Sequence, residues 1–389
     1  MKMKKVIIFF CLLSFFWPLA VQAGMEPGEI VANQEENLNL AELEKFITEI
    51  ETDLHLLFPD FSWRQILEKF KKGELDFAPH EILTKALAFF WREVIFNLSI
   101  LGKILVIAVL GAILQTLQTA FTKGTVARLA YFICFAALIT LTVGSFKIAL
   151  DTGWLAINKM AALMKILLPL LLVLLTTLGG LTTTALLQPF LLVFFGFLVS
   201  FTQNIIFPAI FLTAILCITN NLSDHFKLSR LVSFAKQMTK AAIGLVLTLF
   251  VGIISAEGVL GAVVDGVTLR TAKYMAGTFV PVAGSMFADA LDAVMGGSLL
   301  LKNALGLTGV LLLGAILLFP ICKVLALAII YRLAAALIQP LGDTLLADTL
   351  EEMAGCLFLT FAAVAAVAIM FFAAITVIVG AANLTIMFR

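Results

Sequence analysis

Charged side chains are scarce in this sequence. Only 13% of its 389 residues are charged, 62% are hydrophobic, and the mean hydropathy is +1.09. This composition lies outside the range of water-soluble domains and is typical of an integral membrane protein. The net charge of +1 supplies no basic field, and no nucleic-acid-reading motif occurs, so nucleic-acid binding is excluded.

Residues suited to catalysis are also few. His55, His80 and His225 all lie outside the long apolar runs, so none can serve as an intramembrane base or metal ligand. Glu351 and Glu352 form a pair like that of one intramembrane protease class, but the arginine expected after them is absent. We interpret them as solvated loop charges. No Gly-x-x-x-x-Gly-Lys phosphate loop occurs, and we predict no enzymatic activity and no cofactor.

Cysteine gives no framework of disulfides or metal ligands. One cysteine lies in the first 23 residues and none in residues 24–90. The other four lie in apolar segments and are Cys134, Cys217, Cys322 and Cys356. We expect them to be buried free thiols that pack as small hydrophobic side chains.

The first 23 residues have the pattern of a cleavable signal peptide. Lys2, Lys4 and Lys5 precede an apolar run of about a dozen residues, too short to span a membrane comfortably, and a helix-breaking proline follows. Val21 and Ala23 have side chains small enough for the two positions that a signal peptidase recognises, so we expect cleavage after Ala23. An uncleaved anchor is the alternative.

Residues 24–90 differ from the rest because they are rich in charge, mostly acidic. We predict an exported amphipathic-helical region here, ahead of a transmembrane domain at 91–389. Apolar residues recur at helical spacing: Leu43, Phe46, Ile47, Ile50, Leu54 and Leu57. Asn39 is a predicted cap, and a second amphipathic stretch begins at Ser62. A loosely ordered acidic linker is the alternative.

Long apolar runs fill the remainder and predict an all-α polytopic membrane protein with about eight (six to ten) transmembrane or re-entrant helices. The runs are 94–120, 129–150, 166–221, 241–262, 303–338 and 355–381. The run 166–221 is predicted to break at Pro169, Gly179-Gly180, Pro189 and Pro208. The run 303–338 is either one kinked span or a pair of spans around Pro320. After an exported N-terminus the first span runs inward, and the basic residues of the following loop and of 222–240 fit the cytoplasmic side. Lys147, Lys159 and Lys165 depart from this rule, because they fall on the side assigned to the exterior.

A direct internal repeat of 131–240 and 243–352 is also expected. At an offset of 112 residues, Pro169 aligns with Pro281 and Phe207-Pro208 aligns with Phe319-Pro320. Elsewhere identity is near background, so the repeat depends on these few matches.

Charges inside apolar runs are the main functional signal, because each is costly in hydrocarbon unless protein or water shelters it. The candidate lining or subunit-contact residues are Asp289, Asp292, Lys302, Lys273, Glu257, Gly277, Pro281 and Gly284, and the other intramembrane charges are Lys103, Lys323 and Arg332. Asp289 and Asp292 share one face if 285–295 is helical. They either line a pore or contact a partner, or they form salt bridges to Lys302 or Lys273 that fix a re-entrant hairpin.

Three stretches resemble the stage III sporulation protein AE family of endospore-forming Firmicutes: KYMAGTFVPVAGSMFADALDAVMGGSLLLKNALG at 273–306, IIYRLAAALIQPLGD at 329–343, and the closing MFFAAITVIVGAANLTIMFR. The resemblance implies a multi-pass subunit of the mother-cell membrane around the forespore, with residues 24–90 on the intermembrane side. It implies as partners the other stage III A operon proteins (an ATPase, ring proteins and membrane subunits) and, indirectly, stage II sporulation protein Q.

The function expected from this resemblance is a membrane platform or permease-like subunit of the secretion-like sporulation channel complex, needed for late forespore gene expression. Two alternatives stay open on the residues alone. One is a stand-alone secondary transporter of a small solute, which interrupted spans would also suit. The other is a structural scaffold for ring subunits, without a pore of its own.

Overall fold

The computed structural model describes residues 41–55, 79–120, 125–222, 228–279, 283–342 and 344–387, and over these ranges the chain is all-α with no strand. The helices are α1 (Ala41–His55), α2 (Pro79–Ala120), α3 (Thr125–Thr177), α4 (Leu181–Phe201), α5 (Phe207–Leu222), α6 (Ser229–Phe279), α7 (Ala283–Ile338) and α8 (Thr344–Met387). A π-helical turn, Thr202–Ile206, joins α4 to α5, and a 3-10 turn, Gln339–Leu341, follows α7.

Six helical rods in the described ranges are long and apolar enough to cross a membrane, which confirms the polytopic all-α class. They are Ala86–Leu114, Leu129–Thr177, Leu181–Leu222, Ser229–Thr271, Met295–Leu341 and Leu345–Leu384. The number falls within the predicted six to ten. Five of the rods are at least 40 residues long, about 60 Å or more as helix, and therefore exceed the ~30 Å of a hydrocarbon core.

Proline breaks the helices less often than the sequence predicts. Pro169 lies inside α3, Pro189 inside α4 and Pro320 inside α7. The predicted breaks at Pro169 and Pro189 are therefore wrong, and residues 303–338 belong to one helix. Neighbouring helices shield the backbone groups that an intramembrane proline leaves free. The break at Gly179-Gly180 is confirmed, since Gly179 adopts φ 85 and reverses the chain.

Pro208 has a milder effect than the predicted break. It follows the π-helical turn, in which the Phe207 amide bonds the carbonyl of Thr202. Proline has no N–H and its ring crowds the carbonyl four residues earlier, here that of Asn204. Widening the preceding turn relieves this crowding and lets α4 and α5 continue as one rod.

Helix α8 lies at the centre of the bundle, where it packs against α3, α5, α6 and α7, while α7 also contacts α2 and α3. One continuous apolar cluster joins these helices; it contains large side chains such as Phe146, Phe250 and Phe371. Side chains of α6 and α4 interlock through stacked rings, with the Phe194 and Phe250 centroids 4.4 Å apart. Such packing fixes the relative positions of the polar residues carried by the same helices.

The short helix α1 packs on the membrane bundle. Its residues Leu43, Ile47 and Ile50 are buried, and the helix contacts α3 and α7. The predicted apolar spacing thus forms a helix with one covered face. Ala23, Asn39 and the stretch beginning at Ser62 lie outside the described residues, and the three-part domain division and the internal repeat stay predictions.

Candidate functional site

A charge-free stretch of α8 indicates the depth of the hydrocarbon core. Residues 353–387 of α8 contain no Asp, Glu, Lys or Arg, and as a helix they extend about 52 Å, more than the ~30 Å of a hydrocarbon core. Since α8 lies at the centre of the bundle, residues of other helices that contact the middle of this stretch lie at hydrocarbon depth. Polar groups there need protein or water around them.

Lys302 of α7 is fully buried beside the C-terminal part of this stretch. Its Nζ donates to the carbonyl of Val379 at 2.8 Å and to Oδ1 of Asn383 at 3.1 Å, both on α8. Both acceptors are uncharged, so these contacts differ from the predicted salt bridge to a carboxylate. The side chain ties α7 to α8, and its burial places it away from any passage bordered by the isolated chain.

Asp265 of α6 is a second buried charge, which the sequence analysis missed. It is 2% exposed, and its carboxylate accepts hydrogen bonds from the Thr182 and Thr183 amides at 2.7 and 2.8 Å and from the Thr183 hydroxyl at 2.7 Å. The carboxylate thus caps the first turn of α4, where unpaired amides and the helix dipole favour an anion. Two features of the sequence could have revealed this contact. One is an aspartate among apolar residues, and the other is a helix that starts Gly-Leu-Thr-Thr without an acidic cap of its own.

Glu257 and Lys103 occupy less covered positions. Glu257 is half-buried on α6, and within the described part of the chain its Oε2 is shielded from solvent without a hydrogen-bond partner. Lys103 is exposed on α2, near the middle of the apolar rod Ala86–Leu114. Neither residue joins Lys302 in the contacts described, so the structure does not gather the predicted charges into one cluster.

Lys323 and Arg332 of α7 contact aromatic rings. The Lys323 Nζ lies 5.3 Å from the centre of the Phe319 ring, and the Arg332 guanidinium lies 5.4 Å from that of Phe358. Arg332 also pairs with Glu351 at 3.1 Å, with both side chains more than half exposed. Glu351 and Glu352 lie in α8, so their predicted loop position is wrong. Glu351 is exposed as predicted, whereas Glu352 is half-buried and, in the described ranges, its Oε2 is shielded without a hydrogen-bond partner.

The segment 273–303 is only partly described. The backbone of α7 is helical from Ala283, which meets the condition for Asp289 and Asp292 to share a face. The side chains of Asp289, Asp292 and Lys273, and the surroundings of Gly277, Pro281 and Gly284, lie outside the described part. Their role in lining a passage or contacting a subunit stays a prediction.

The remaining reactive groups do not form a catalytic or metal centre in the ranges that the structure covers. No group of three or more His, Cys, Asp or Glu side chains is placed to hold a metal ion there. Cys217 of α5 and Cys356 of α8 are buried free thiols with their sulfur atoms 4.0 Å apart. The described residues form a helical membrane bundle that carries polar groups at hydrocarbon depth.

Comparisons with known proteins place this body in a family. The family model described as Stage III sporulation protein AE matches residues 61–382. The chain is 39% identical over 353 residues to the Stage III sporulation protein AE of Bacillus subtilis (strain 168), covering 91% of this chain and 88% of that protein. No solved structure matches the chain.

Proposed function

Because the chain belongs to the stage III sporulation protein AE family, we propose that it is the membrane platform or permease-like subunit of a sporulation channel complex between mother cell and forespore. The family match supports a role in sporulation, and the polytopic helical body supports a membrane location. The observation that carries the proposal is this match over most of a chain with polar groups at hydrocarbon depth.

In the proposed assembly the chain lies in the mother-cell membrane that surrounds the forespore, with residues 24–90 in the space between the two membranes. Its partners are the other stage III A proteins, namely an ATPase, ring-forming proteins and further membrane subunits, and indirectly stage II sporulation protein Q. The subunit itself catalyses no reaction. Asp289 and Asp292 belong to this proposal as residues that line or seal the passage.

The test is complementation in a sporulating host that lacks its own family member. The chain should restore spore yield and a reporter of late forespore gene expression, and a chain with both Asp289→Ala and Asp292→Ala should accumulate normally but restore much less. Substitution of Asn for both aspartates is the matched control for side-chain volume. Full function of the double alanine variant would overturn the role given to these carboxylates, and failure of the parent chain to complement would overturn the proposal itself.

A structural scaffold without a passage is the second candidate, and the burial of Lys302 favours it. Lys302 is 0% exposed, although it lies in the segment 273–303 expected to line the passage. Cysteines introduced one by one along 273–303 separate the candidates: a hydrophilic thiol reagent should modify several of them in a passage and none of them in a scaffold.

A further inference from the structure

A row of polar side chains runs along one face of α3. Lys147, Asp151 and Lys165 are exposed and Asn158 is half-buried. Their spacings of four and seven residues place them on the same side of a helix. Ala162 lies on this side between Asn158 and Lys165. We call these five residues the α3 polar face.

The α3 polar face lies at hydrocarbon depth. A β carbon built on Gly153 would lie 3.0 Å from Cγ2 of Val364, and one built on Gly309 would contact both Leu167 and Ile375. Val364 and Ile375 lie in the middle of the charge-free stretch of α8, so the part of α3 from 153 to 167 runs beside the middle of that stretch. Asn158, Ala162 and Lys165 therefore lie within the apolar layer, with Asp151 and Lys147 towards one edge.

The π-helical turn widens this face. Nε2 of Gln203 donates to Oδ1 of Asn158 at 2.8 Å, which fixes the turn against α3. The next residue, Asn204, is exposed and donates to the Ser200 hydroxyl at 3.0 Å. The π-helical turn and α3 thus present polar atoms outward, whereas Val193 of α4, which is 74% exposed, is apolar.

Acyl chains are a poor environment for this surface. Three ionised side chains exposed to hydrocarbon would each cost several kcal/mol, and exposed amides would lose hydrogen bonds to water. A lysine near the end of a span can extend its ammonium group to the headgroups. The shorter side chains of Asp151, Asn158 and Gln203 cannot reach the headgroups in this way. Water is the contact that satisfies both charge signs and the amides.

We propose that the α3 polar face borders water inside the membrane and forms one wall of a passage that admits small hydrophilic anions in preference to cations. Two lysines against one aspartate give the face a positive balance, and rings of basic side chains favour anions in pores. This inference rests on the proposed function, since other chains of the assembly supply the remaining walls. It assigns the wall to α3 in addition to the segment 273–303.

The test is the modification rate of a cysteine placed at Ala162. Membranes from sporulating cells that contain the complete chain are treated with two methanethiosulfonate reagents, one bearing a sulfonate and the other a trimethylammonium group. Val193→Cys is the control, because Val193 is more exposed and lies two residues from Phe195, whose ring contacts Phe371 of α8 at 4.9 Å. The parent chain with its own cysteines gives the background.

We expect Ala162→Cys to react at least about tenfold faster than Val193→Cys, because a thiol in hydrocarbon does not ionise and does not meet a charged reagent. At Ala162→Cys the sulfonate reagent should react faster, relative to the ammonium reagent, than it does with a free thiol. Adding Lys165→Glu should lower the ratio of the sulfonate rate to the ammonium rate by about tenfold, because a charge one helical turn from the thiol changes sign. Asn158→Cys provides the same measurement if Ala162→Cys does not accumulate.

Two results would overturn the inference while the proposed function stands. Equal slow labelling of Ala162→Cys and Val193→Cys, in cells that still form spores, would mean that a partner helix covers the face without water. If Lys165→Glu leaves the sulfonate-to-ammonium rate ratio unchanged, the proposed preference for anions is wrong. The proposed function fails separately, if cells without the chain sporulate normally.

Discussion

Charged groups of the membrane bundle occur in two settings that differ in what surrounds them. Asp265 and Lys302 are buried, and hydrogen bonds to other helices of the same chain hold them. Lys147, Asp151 and Lys165 are exposed on α3, beside the charge-free stretch of α8. Opposite exposure indicates opposite roles: the buried pair builds the bundle, and the exposed row meets something outside the chain.

The comparison explains how an apolar chain accommodates both kinds of charge. A buried charge is tolerated when its polar atoms are hydrogen-bonded, as the Asp265 carboxylate is by three donors. An exposed charge contributes little to the fold because its energy depends on the medium. Substitutions in the two groups should therefore separate stability from function, and a failure of that separation would show that the division by exposure is wrong.

The largest effect is expected from Asp265→Ala. Removing the carboxylate leaves the half-buried Thr182 amide and the buried Thr183 amide and hydroxyl without their acceptor, at a cost of about 3 kcal/mol in stability. Unfolding of the purified protein in detergent, followed by tryptophan fluorescence, measures the loss. Asp265→Asn keeps one acceptor oxygen but turns an NH2 group towards the remaining donors, so it should lose nearly as much. A loss below about 1 kcal/mol for Asp265→Ala would mean that the carboxylate does not hold the turn.

Next in size is Gly261→Ala on the same helix as Asp265. A β carbon at Gly261 would lie 2.8 Å from Cα of Thr183, and a clash with backbone forces α6 and α4 apart at about 2 kcal/mol. Gly252→Ala is the matched control, because nothing lies within 4 Å of its β carbon and alanine favours helix. Destabilisation of both variants to the same extent would contradict the close approach of α6 and α4.

Lys302→Met should have a smaller effect than either. The substitution removes a donor from the Val379 carbonyl and from Asn383, but it also removes the cost of burying a cation, so the net loss is about 1 kcal/mol. Asn383→Ala tests the same contact from the other helix. The double variant should lose little more than the larger single loss. Strictly additive losses would show that Lys302 and Asn383 act independently.

Composition and periodicity predicted much of this fold, because the requirement to cross a membrane dictates long apolar helices. The reversal at Gly179 was predictable, since only glycine readily adopts its positive φ. The continuity of the helices through Pro169 and Pro189 was not. A proline's effect depends on neighbouring helices that shield the freed carbonyls, and those neighbours come from distant parts of the chain.

The candidate site was less predictable than the fold. Sequence reveals that a charge lies within an apolar run, but not whether it points towards a helix or away from the bundle. The partners of Lys302 are 77 and 81 residues away, and those of Asp265 are 82 and 83 residues away. The sequence analysis assigned Lys147 and Lys165 to the exterior side and did not recognise the α3 polar face. Its members are spread over nineteen positions of a helix whose remaining residues are largely apolar, which hides a stripe with a seven-residue spacing.

Lys165→Ala should have the smallest effect on stability and thereby tests the comparison most directly. Its side chain is exposed, so its removal should change the free energy of unfolding by less than about 0.5 kcal/mol. Spore yield should nevertheless fall when Lys147→Ala and Lys165→Ala are combined, because the face loses its positive charge. Val193→Ala is the control for a lipid-facing substitution and should change neither quantity. A stability loss near that of Asp265→Ala would place Lys165 among the structural charges and end the division between buried and exposed groups.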